Sequence, residues 1–162
     1  FIFEKKNISN TILNYDYVLN FKANKEYPDK INVKIQKAKN IGKVLKNNKF
    51  LTILSNGKTT KYISETSFNL PIFYGNFNTV EFLNFLEILD SVNLNATEIK
   101  SFYFFQSKRW DINLKNGIII KLPQFETKDA LKNALKISSD EKFKGIKTID
   151  FRIKDKVILD GR

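Results

Sequence analysis

Acid–base chemistry in this sequence would depend on carboxylates, lysine and tyrosine, because there is no histidine and no cysteine. Histidine is the commonest general base and transition-metal ligand, and cysteine supplies disulfides, thiolate metal sites and nucleophiles. Nothing around the acidic residues marks a pocket that would raise one pKa of a pair, so we interpret them as solvated surface charges. The acidic pairs considered for such a role are Glu81/Glu87, Asp111/Glu126 and Asp140/Glu141.

Motifs for nucleophilic, phosphate or metal chemistry are absent from the sequence as well. It contains no G-x-S-x-G, no glycine-rich loop before a predicted helix and no spaced set of metal ligands. We therefore predict no catalytic residue, no metal site and no cofactor. An enzyme is the least favoured class of function for this chain.

The basic charge of the chain indicates which partners it suits. Lysine and arginine outnumber aspartate and glutamate by 28 to 17, which gives a formal charge of +11. Such an excess favours nucleic acid, an anionic membrane surface or an acidic protein. The lysines are scattered, which is typical of a solvated surface, so nucleic-acid binding is kept only as the alternative function. Seven of the 28 basic residues lie between Lys142 and Arg162, a cluster that overlaps the predicted final strand.

The elements that position these groups are organised around a predicted hairpin, Lys108 to Pro123. Trp110, Ile112 and Leu114 alternate with polar residues, as in a strand with one buried face. Asn116-Gly117 suits the positive φ angles of a tight turn, and the return arm stops at the proline, which cannot donate to a ladder. Trp110 is the only tryptophan, and we expect it to be buried between the sheet and a helix.

Two helices are predicted on either side of this hairpin. The first begins at Asn78, with Glu81 three residues later in capping-box spacing. The second is expected to be capped by Thr127 and to run to about Ile137. The apolar stripe of the first helix is predicted to comprise Leu83, Leu86 and Leu89.

The remaining strands complete the predicted sheet. Ile99 to Gln106 is aromatic and carries no basic residue between Ser101 and Ser107, so we interpret it as core and not as a base-stacking platform. Pro71 is expected to keep its apolar segment out of a central strand. Ile146 to Ile153 is predicted as a strand, and Val157-Ile158-Leu159 as a last short strand with an open edge. In the first of these two, the expected inward residues are Ile149, Phe151 and Ile153, and the expected outward ones are Asp150, Arg152 and Lys154.

The beginning of the chain has a different character. Tyr15 to Lys25 and Ile31 to Gln36 are predicted to pair as a hairpin that is too small to bury a core of its own. A length of 162 residues leaves room for one domain, or for one domain and part of another. The chain begins at Phe1 without any methionine, so we expect it to be a piece of a longer protein. No apolar run approaches the roughly 18 residues of a membrane-spanning helix.

Several motifs in order resemble the extracytoplasmic part of the FtsQ/DivIB family of bacterial cell-division proteins. The similar motifs are Arg109-Trp110-Asp111-Ile112-Asn113-Leu114 with Asn116-Gly117, Lys121-Leu122-Pro123, Leu70-Pro71 with Tyr74-Gly75, and Ile149-Asp150-Phe151-Arg152 with Asp155-Lys156-Val157. Upstream, Tyr17-Val18 and Tyr27-Pro28-Asp29-Lys30-Ile31 resemble the end of the POTRA module that precedes the β domain in this family.

The resemblance implies an α+β fold in two parts. Residues 1–38 would be the C-terminal part of a POTRA module, without its first strand and helix. Residues 39–162 would be the β domain, a mainly antiparallel sheet with two packed helices and an open C-terminal edge strand. The cytoplasmic tail and the single membrane-spanning helix of the family are not in this sequence.

The resemblance also implies a function. A member of this family is a non-enzymatic scaffold of the divisome, anchored in the inner membrane by one helix, with this part in the periplasm and concentrated at the septum. Its β domain would bind FtsB, and through it FtsL, while the POTRA part would bind other division proteins; nucleic acid is not expected as a partner. By this resemblance the partner would add a strand to the C-terminal edge, and the alternative is that the flanking lysines are gatekeepers that prevent pairing. The predicted partner-binding residues are Arg109, Arg152, Lys154, Lys156, Val157, Ile158 and Leu159.

Overall fold

The structure is a computed structural model that describes residues 9, 11–46, 48–61, 69–94 and 96–161. It has the predicted α+β architecture: a nine-stranded sheet, a separate two-stranded sheet and two helices that pack on one face of the large sheet. The strands are β1 (Val18–Glu26), β2 (Lys30–Lys37), β3 (Asn40–Lys46), β4 (Lys49–Leu54), β5 (Thr59–Thr60), β6 (Ile72–Tyr74), β7 (Ile99–Phe104), β8 (Trp110–Leu114), β9 (Ile119–Lys121), β10 (Thr148–Asp150) and β11 (Ile158–Asp160). The two helices that pack on the large sheet are α1 (Thr79–Ser91) and α2 (Thr127–Ser139). Among the described residues, no helix is long and apolar enough to cross a membrane.

The large sheet has the strand order β11-β10-β9-β8-β7-β6-β3-β4-β5 and is mostly antiparallel, as predicted. Three neighbouring pairs are parallel: β3 with β6, β6 with β7, and β9 with β10. The last two are connected through α1 and α2, because parallel neighbours need a long crossover. The prediction that Pro71 excludes its segment from a central strand is wrong. The proline lies just before β6, ahead of the residues that pair with β3, and its carbonyl accepts a hydrogen bond from the amide of Lys43.

Helix α1 begins as the sequence indicates but turns a different face to the core. Asn78 accepts from the amide of Glu81, and the Glu81 carboxylate accepts from the amide of Asn78, which confirms the capping box. The predicted leucine stripe is right only at Leu89, which is buried, because Leu83 and Leu86 are only half-buried. The fully covered positions are Phe82, Phe85 and Leu89, which keep the i, i+3, i+7 spacing of a single helix face.

The core is aromatic where α1 meets the sheet. Trp110 is 5% exposed and stacks on Phe85 of α1 with ring centroids 4.4 Å apart. Phe102 and Phe104 of β7 are also buried, which confirms their prediction as core, whereas Tyr103 between them faces the opposite side of the sheet. The predicted Asn116-Gly117 turn is present between β8 and β9, and the amide of Gly117 donates to the carbonyl oxygen of Leu114. Only Gly117 has a positive φ, at 92°, so the expectation of positive φ at both residues is wrong.

Helix α2 covers the neighbouring part of the same face. Ala130, Leu131 and Ala134 are buried on it. The prediction that Thr127 is the N-cap is wrong: the N-cap is Glu126, at φ 57° and without a capping side-chain bond. Thr127 is the first helical residue, and its hydroxyl donates to the carbonyl oxygen of Pro123.

The N-terminal hairpin is confirmed and stands apart from the large sheet. β1 and β2 pair with each other in antiparallel register, for example Phe21 with Ile35. The hairpin is tied to the following strands by Asn56, whose side-chain amide donates to the carbonyl oxygens of Asp16 and Val18. The assignment of residues 1–38 to a separate module stays a prediction.

Candidate partner-binding edge

β11 lies at one end of the nine-stranded sheet and pairs antiparallel with β10. Its other side is unpaired within the described residues. The predicted strand Val157–Leu159 is shifted by one residue, because the carbonyl of Asp160 accepts from the amide of Lys147 and brings Asp160 into the ladder. Gly161 permits this approach, since a Cβ there would lie 2.3 Å from the backbone nitrogen of Lys147.

The edge carries apolar side chains that face solvent. Ile158 is 48% exposed, and Val157 and Leu159 are exposed as well. Lys154 and Lys156, also exposed, lie in the turn that leads into the strand. The structure therefore brings five of the predicted site residues together along one short stretch of chain, at an edge where unpaired N–H and C=O groups are available.

β10 is shorter than predicted, although Ile149 and Asp150 within it face the predicted sides of the sheet. The strand spans only Thr148–Asp150, and the chain leaves the sheet after it. Ile149 is buried as predicted, but Ile153 is exposed and not inward. Asp150, predicted to face outward into water, is 7% exposed. The alternation that placed Ile153 assumed a strand that continues beyond Asp150.

Asp150 belongs to a row of residues that crosses the sheet on the face away from the helices. Asp111 of β8 is opposite Lys121 of β9, Lys121 is opposite Asp150 of β10, and Asp150 is opposite Ile158 of β11. Residues directly opposite each other point to the same side of a sheet. Two carboxylates and a lysine therefore lie side by side next to the edge strand.

The carboxylate of Asp111 is paired with Arg109, two residues earlier on the same strand. Nη1 of Arg109 donates to Oδ1 at 2.5 Å, and Asp111 is 7% exposed. Burial raises the pKa of Asp111, and the cations of Arg109, Arg152 and Lys121 oppose that rise. The side chain of Arg109 is only 17% exposed, and its guanidinium carbon lies 4.0 Å from the centroid of the Phe105 ring.

The carboxylate of Asp150 is paired with Arg152, two residues later. Nε of Arg152 donates to both carboxylate oxygens at 2.9 Å, Nη2 donates to Oδ2 at 2.6 Å, and the backbone N–H of Arg152 donates to Oδ1 at 3.0 Å. These bonds hold the pKa of Asp150 below its usual range, chiefly through the Arg152 side chain. Unlike Arg109, Arg152 keeps 43% of its side chain exposed.

The interpretation of the acidic residues as solvated charges is therefore wrong for Asp111 and Asp150. Glu81 is partly covered too: Lys108 pairs with it, and that bond lowers its pKa. Glu87 and Glu126, in contrast, are exposed as predicted. The signal that sequence reasoning missed was the mirrored spacing Arg-x-Asp at 109–111 and Asp-x-Arg at 150–152. Within the described residues, no group of three or more acidic side chains could hold a metal ion.

A groove of about 580 Å³ lies beside the edge, between the N-terminal end of α2 and the segment that follows β10. Its apolar lining includes Phe125, Phe151, Ile153 and Val157, and its charged lining mixes both signs, with Arg152 and Asp155 among them. Phe125 is 75% exposed. The groove therefore adjoins the predicted edge at Val157 and presents apolar surface there.

Comparison with known proteins gives one family match. The model described as "Cell division protein FtsQ/DivIB, C-terminal" matches residues 43–152. The matched region includes Arg109, Asp111, Asp150 and Arg152 and ends before β11. Sequence features of this family therefore extend over most of the large sheet, but not to the edge strand itself.

Individual relatives are named cell division protein FtsQ. The cell division protein FtsQ of Rhizobium radiobacter is 22% identical over 138 residues, 83% of this chain and 66% of that protein. FtsQ of Agrobacterium fabrum is 22% identical over 138 residues, 83% of this chain and 44% of that protein. FtsQ of Bradyrhizobium diazoefficiens is 25% identical over 100 residues, 60% of this chain and 29% of that protein. The chain thus spans less than two thirds of the length of each of these relatives.

A solved structure is also similar. It is the major extracytoplasmic domain of the trans isomer of the cell division protein DivIB from Geobacillus stearothermophilus, with a TM-score of 0.43 and 14% sequence identity. The similarity covers 67% of this chain and 98% of that domain.

Proposed function

The chain belongs to the FtsQ/DivIB family of cell division proteins, whose C-terminal model matches residues 43–152, and we propose that it is a non-enzymatic scaffold of the divisome that binds a partner by strand addition at β11. The observation that carries this proposal is the open edge: a short strand with exposed apolar side chains at the end of a nine-stranded sheet. An extended partner segment would complete the backbone hydrogen bonds of that edge.

The proposed partner is FtsB, and through it FtsL. The segment would pair with Ile158–Asp160, and its acidic side chains would approach Arg152, Lys154 and Lys156. Arg152 suits this role because 43% of its side chain is accessible. Arg109, at 17%, offers less surface, so we assign it the smaller share of the contact.

The setting of the scaffold follows from family membership as a proposal. The longer protein would be anchored in the inner membrane by one helix that precedes this part, and the present chain would lie in the periplasm at the septum. Residues 1–38 would be the end of a POTRA module that binds other division proteins. The absence of catalysis is supported by the environment of Asp111 and Asp150, because each buried carboxylate is already paired with an arginine.

A pair of proline variants tests strand addition. Successive N–H groups of a strand alternate between its two sides, so Ile158 and Leu159 donate in opposite directions. Of Ile158→Pro and Leu159→Pro, one removes a bond to β10 and lowers the melting temperature, while the other removes an outward N–H and leaves stability nearly unchanged. We expect the variant of unchanged stability to lose affinity for the extracytoplasmic segment of FtsB from the same organism. Equal affinity of that variant and the parent chain would place the binding site elsewhere.

The gatekeeper alternative makes a different prediction for the flanking lysines. If Lys154 and Lys156 prevent edge pairing, then Lys154→Ala/Lys156→Ala increases self-association in sedimentation experiments. If they attract an acidic partner, the same variant weakens FtsB binding and stays monomeric. We propose the second outcome.

Nucleic-acid binding is the second candidate function, favoured by the formal charge of +11. A protein that contacts six or more phosphates loses about 10³-fold or more in affinity between roughly 50 and 200 mM salt. A complex formed by strand addition changes far less over that range. Binding of single- and double-stranded oligonucleotides across the same salt series therefore distinguishes the two functions.

A further inference from the structure

We infer that Asp150 and Asp111 are positioning residues of the partner site: they hold the guanidinium groups of Arg152 and Arg109 at one end of the sheet, ready to bind a carboxylate of the added segment. The inference rests on the proposed strand addition at β11. It assigns a role to two buried acids that neither the sequence pattern nor the proposed backbone pairing explains.

The strand directions place both arginines at the same end of the sheet. β8 is antiparallel to β9, and β9 is parallel to β10, so β8 and β10 run in opposite directions. Arg109 precedes its aspartate on β8, whereas Arg152 follows its aspartate on β10. The order of arginine and aspartate along the chain is reversed together with the direction of the strand. Both arginines therefore lie beyond the same end of β9. The chain enters β11 at this end, since Asp150 is opposite Ile158.

The bonds to Asp150 orient Arg152 without covering it. Nε and Nη2 are engaged by the carboxylate, and a guanidinium has five N–H donors. Nη1 donates to no atom of the described residues, and 43% of the side chain is accessible. An arginine fixed in this way loses less conformational freedom when a second carboxylate binds.

The local charge favours one further anion. The row and its flanks contain three cations, Arg109, Lys121 and Arg152, against two carboxylates, which leaves one net positive charge. The partner chemistry that fits is a single aspartate or glutamate next to the residue that pairs at Ile158. A strand added to β11 lies two strand spacings from β10, roughly 10 Å, a gap that an arginine and a glutamate side chain can bridge together.

Stability alone does not account for the arrangement. A buried ion pair is often no more stabilising than apolar residues of similar volume, because the desolvation of both charges offsets their attraction. Measurements of stability therefore do not distinguish a structural role of the two aspartates from a positioning role. Measurements of partner affinity distinguish them.

The test combines variants of the protein with variants of the partner. Affinity is measured for the extracytoplasmic segment of FtsB and for versions of it in which each acidic residue in turn is changed to its amide. The protein variants are Asp150→Asn, Arg152→Gln and their combination, with the parent chain as reference. We expect Asp150→Asn to weaken binding of the parent segment by about tenfold, the effect of losing one well-oriented charge-assisted contact. One amide version of the segment should bind the parent chain and Asp150→Asn equally.

The double variant supplies the control for a merely structural effect. If Asp150 acts through Arg152, Asp150→Asn/Arg152→Gln binds no more weakly than Arg152→Gln alone. Loss of affinity by Asp150→Asn that is the same for the parent segment and for every amide version would show a structural role and overturn the inference. Unchanged affinity for the parent segment would overturn it as well. In both cases the proline pair still reports on strand addition, so failure of the inference and failure of the proposed function are distinguishable.

Discussion

Trp110→Ala tests the placement of the aromatic core from which the sheet is built. The indole is 5% exposed and is surrounded by four phenylalanine rings. Their centroids lie at 4.4 Å (Phe85), 4.8 Å (Phe104), 5.2 Å (Phe77) and 6.1 Å (Phe73) from it. Loss of roughly 200 Å² of buried apolar area at about 25 cal/mol per Å² corresponds to about 5 kcal/mol. Large-to-small replacements in cores cost about 3–5 kcal/mol, and we expect a loss of free energy of unfolding in that range.

Urea unfolding followed by circular dichroism measures this loss, since the variant has no tryptophan left to report by fluorescence. With an m-value of about 2 kcal/mol per M, a loss of about 4 kcal/mol lowers the midpoint by about 2 M. Phe125→Ala is the matched control, because that aromatic side chain is 75% exposed. It should change the free energy of unfolding by no more than about 0.5 kcal/mol.

Two results would refute this placement of the indole. One is a loss for Trp110→Ala as small as that of the Phe125→Ala control. The other is tryptophan emission from the native parent chain with the maximum of an indole in water. Either result would mean that Trp110 does not lie between the sheet and α1.

Three further predictions concern the acidic residues and a helix cap. The pKa of Asp150 is lowered in the folded state. Its carboxylate therefore contributes fully to the free energy of unfolding above the ordinary aspartate pKa, and this contribution is lost as the pH falls through the pKa of the folded state. Asp150→Asn should therefore lower the melting temperature most at neutral pH, and a cost that grows toward acid pH would contradict this. The pKa of Asp111 is raised by burial. Its protonated carboxyl group therefore contributes fully to the free energy of unfolding at low pH, and this contribution is lost as the pH rises through the pKa of the folded state. Asp111→Asn should cost least at neutral pH and more as the solution is acidified, the opposite trend in the same melting series. Asn78→Ala removes the capping bond to α1 and should cost about 1 kcal/mol in urea unfolding, whereas Asn133→Ala, at an exposed position within α2, provides the comparison and should cost nothing measurable.

The parts of the fold that sequence predicted well are those set by neighbours along the chain. The Asn116-Gly117 turn and the capping box at Asn78 and Glu81 depend on a few consecutive residues, and both are present. The N-terminal hairpin is likewise a local pairing of two strands with a short turn. Short-range rules of this kind need no knowledge of the rest of the molecule.

The parts that were predicted wrongly depend on long-range packing. The leucines and the phenylalanines of α1 are all apolar, so periodicity alone does not show which of them face the sheet. Packing against the aromatic surface of the sheet selects Phe82 and Phe85. Alternation put Asp150 on a wet face, but Arg152 pairs with its carboxylate and Lys121 lies opposite it on β9. The one-residue shift of β11 depends on contact of Gly161 with residues 145–147. None of these contacts can be read from local periodicity.

Amide hydrogen exchange tests the central claim, strand addition at β11, most directly. Exchange of the amides of Ile158, Leu159 and Asp160 is measured with and without the FtsB segment, and the amides of Thr59 and Thr60, in the strand at the other end of the sheet, serve as the internal control. Strand addition predicts that the partner slows exchange of the outward-facing amides in Ile158–Asp160 and leaves the control amides unchanged. Binding of the segment without any slowing of exchange between Ile158 and Asp160 would contradict it.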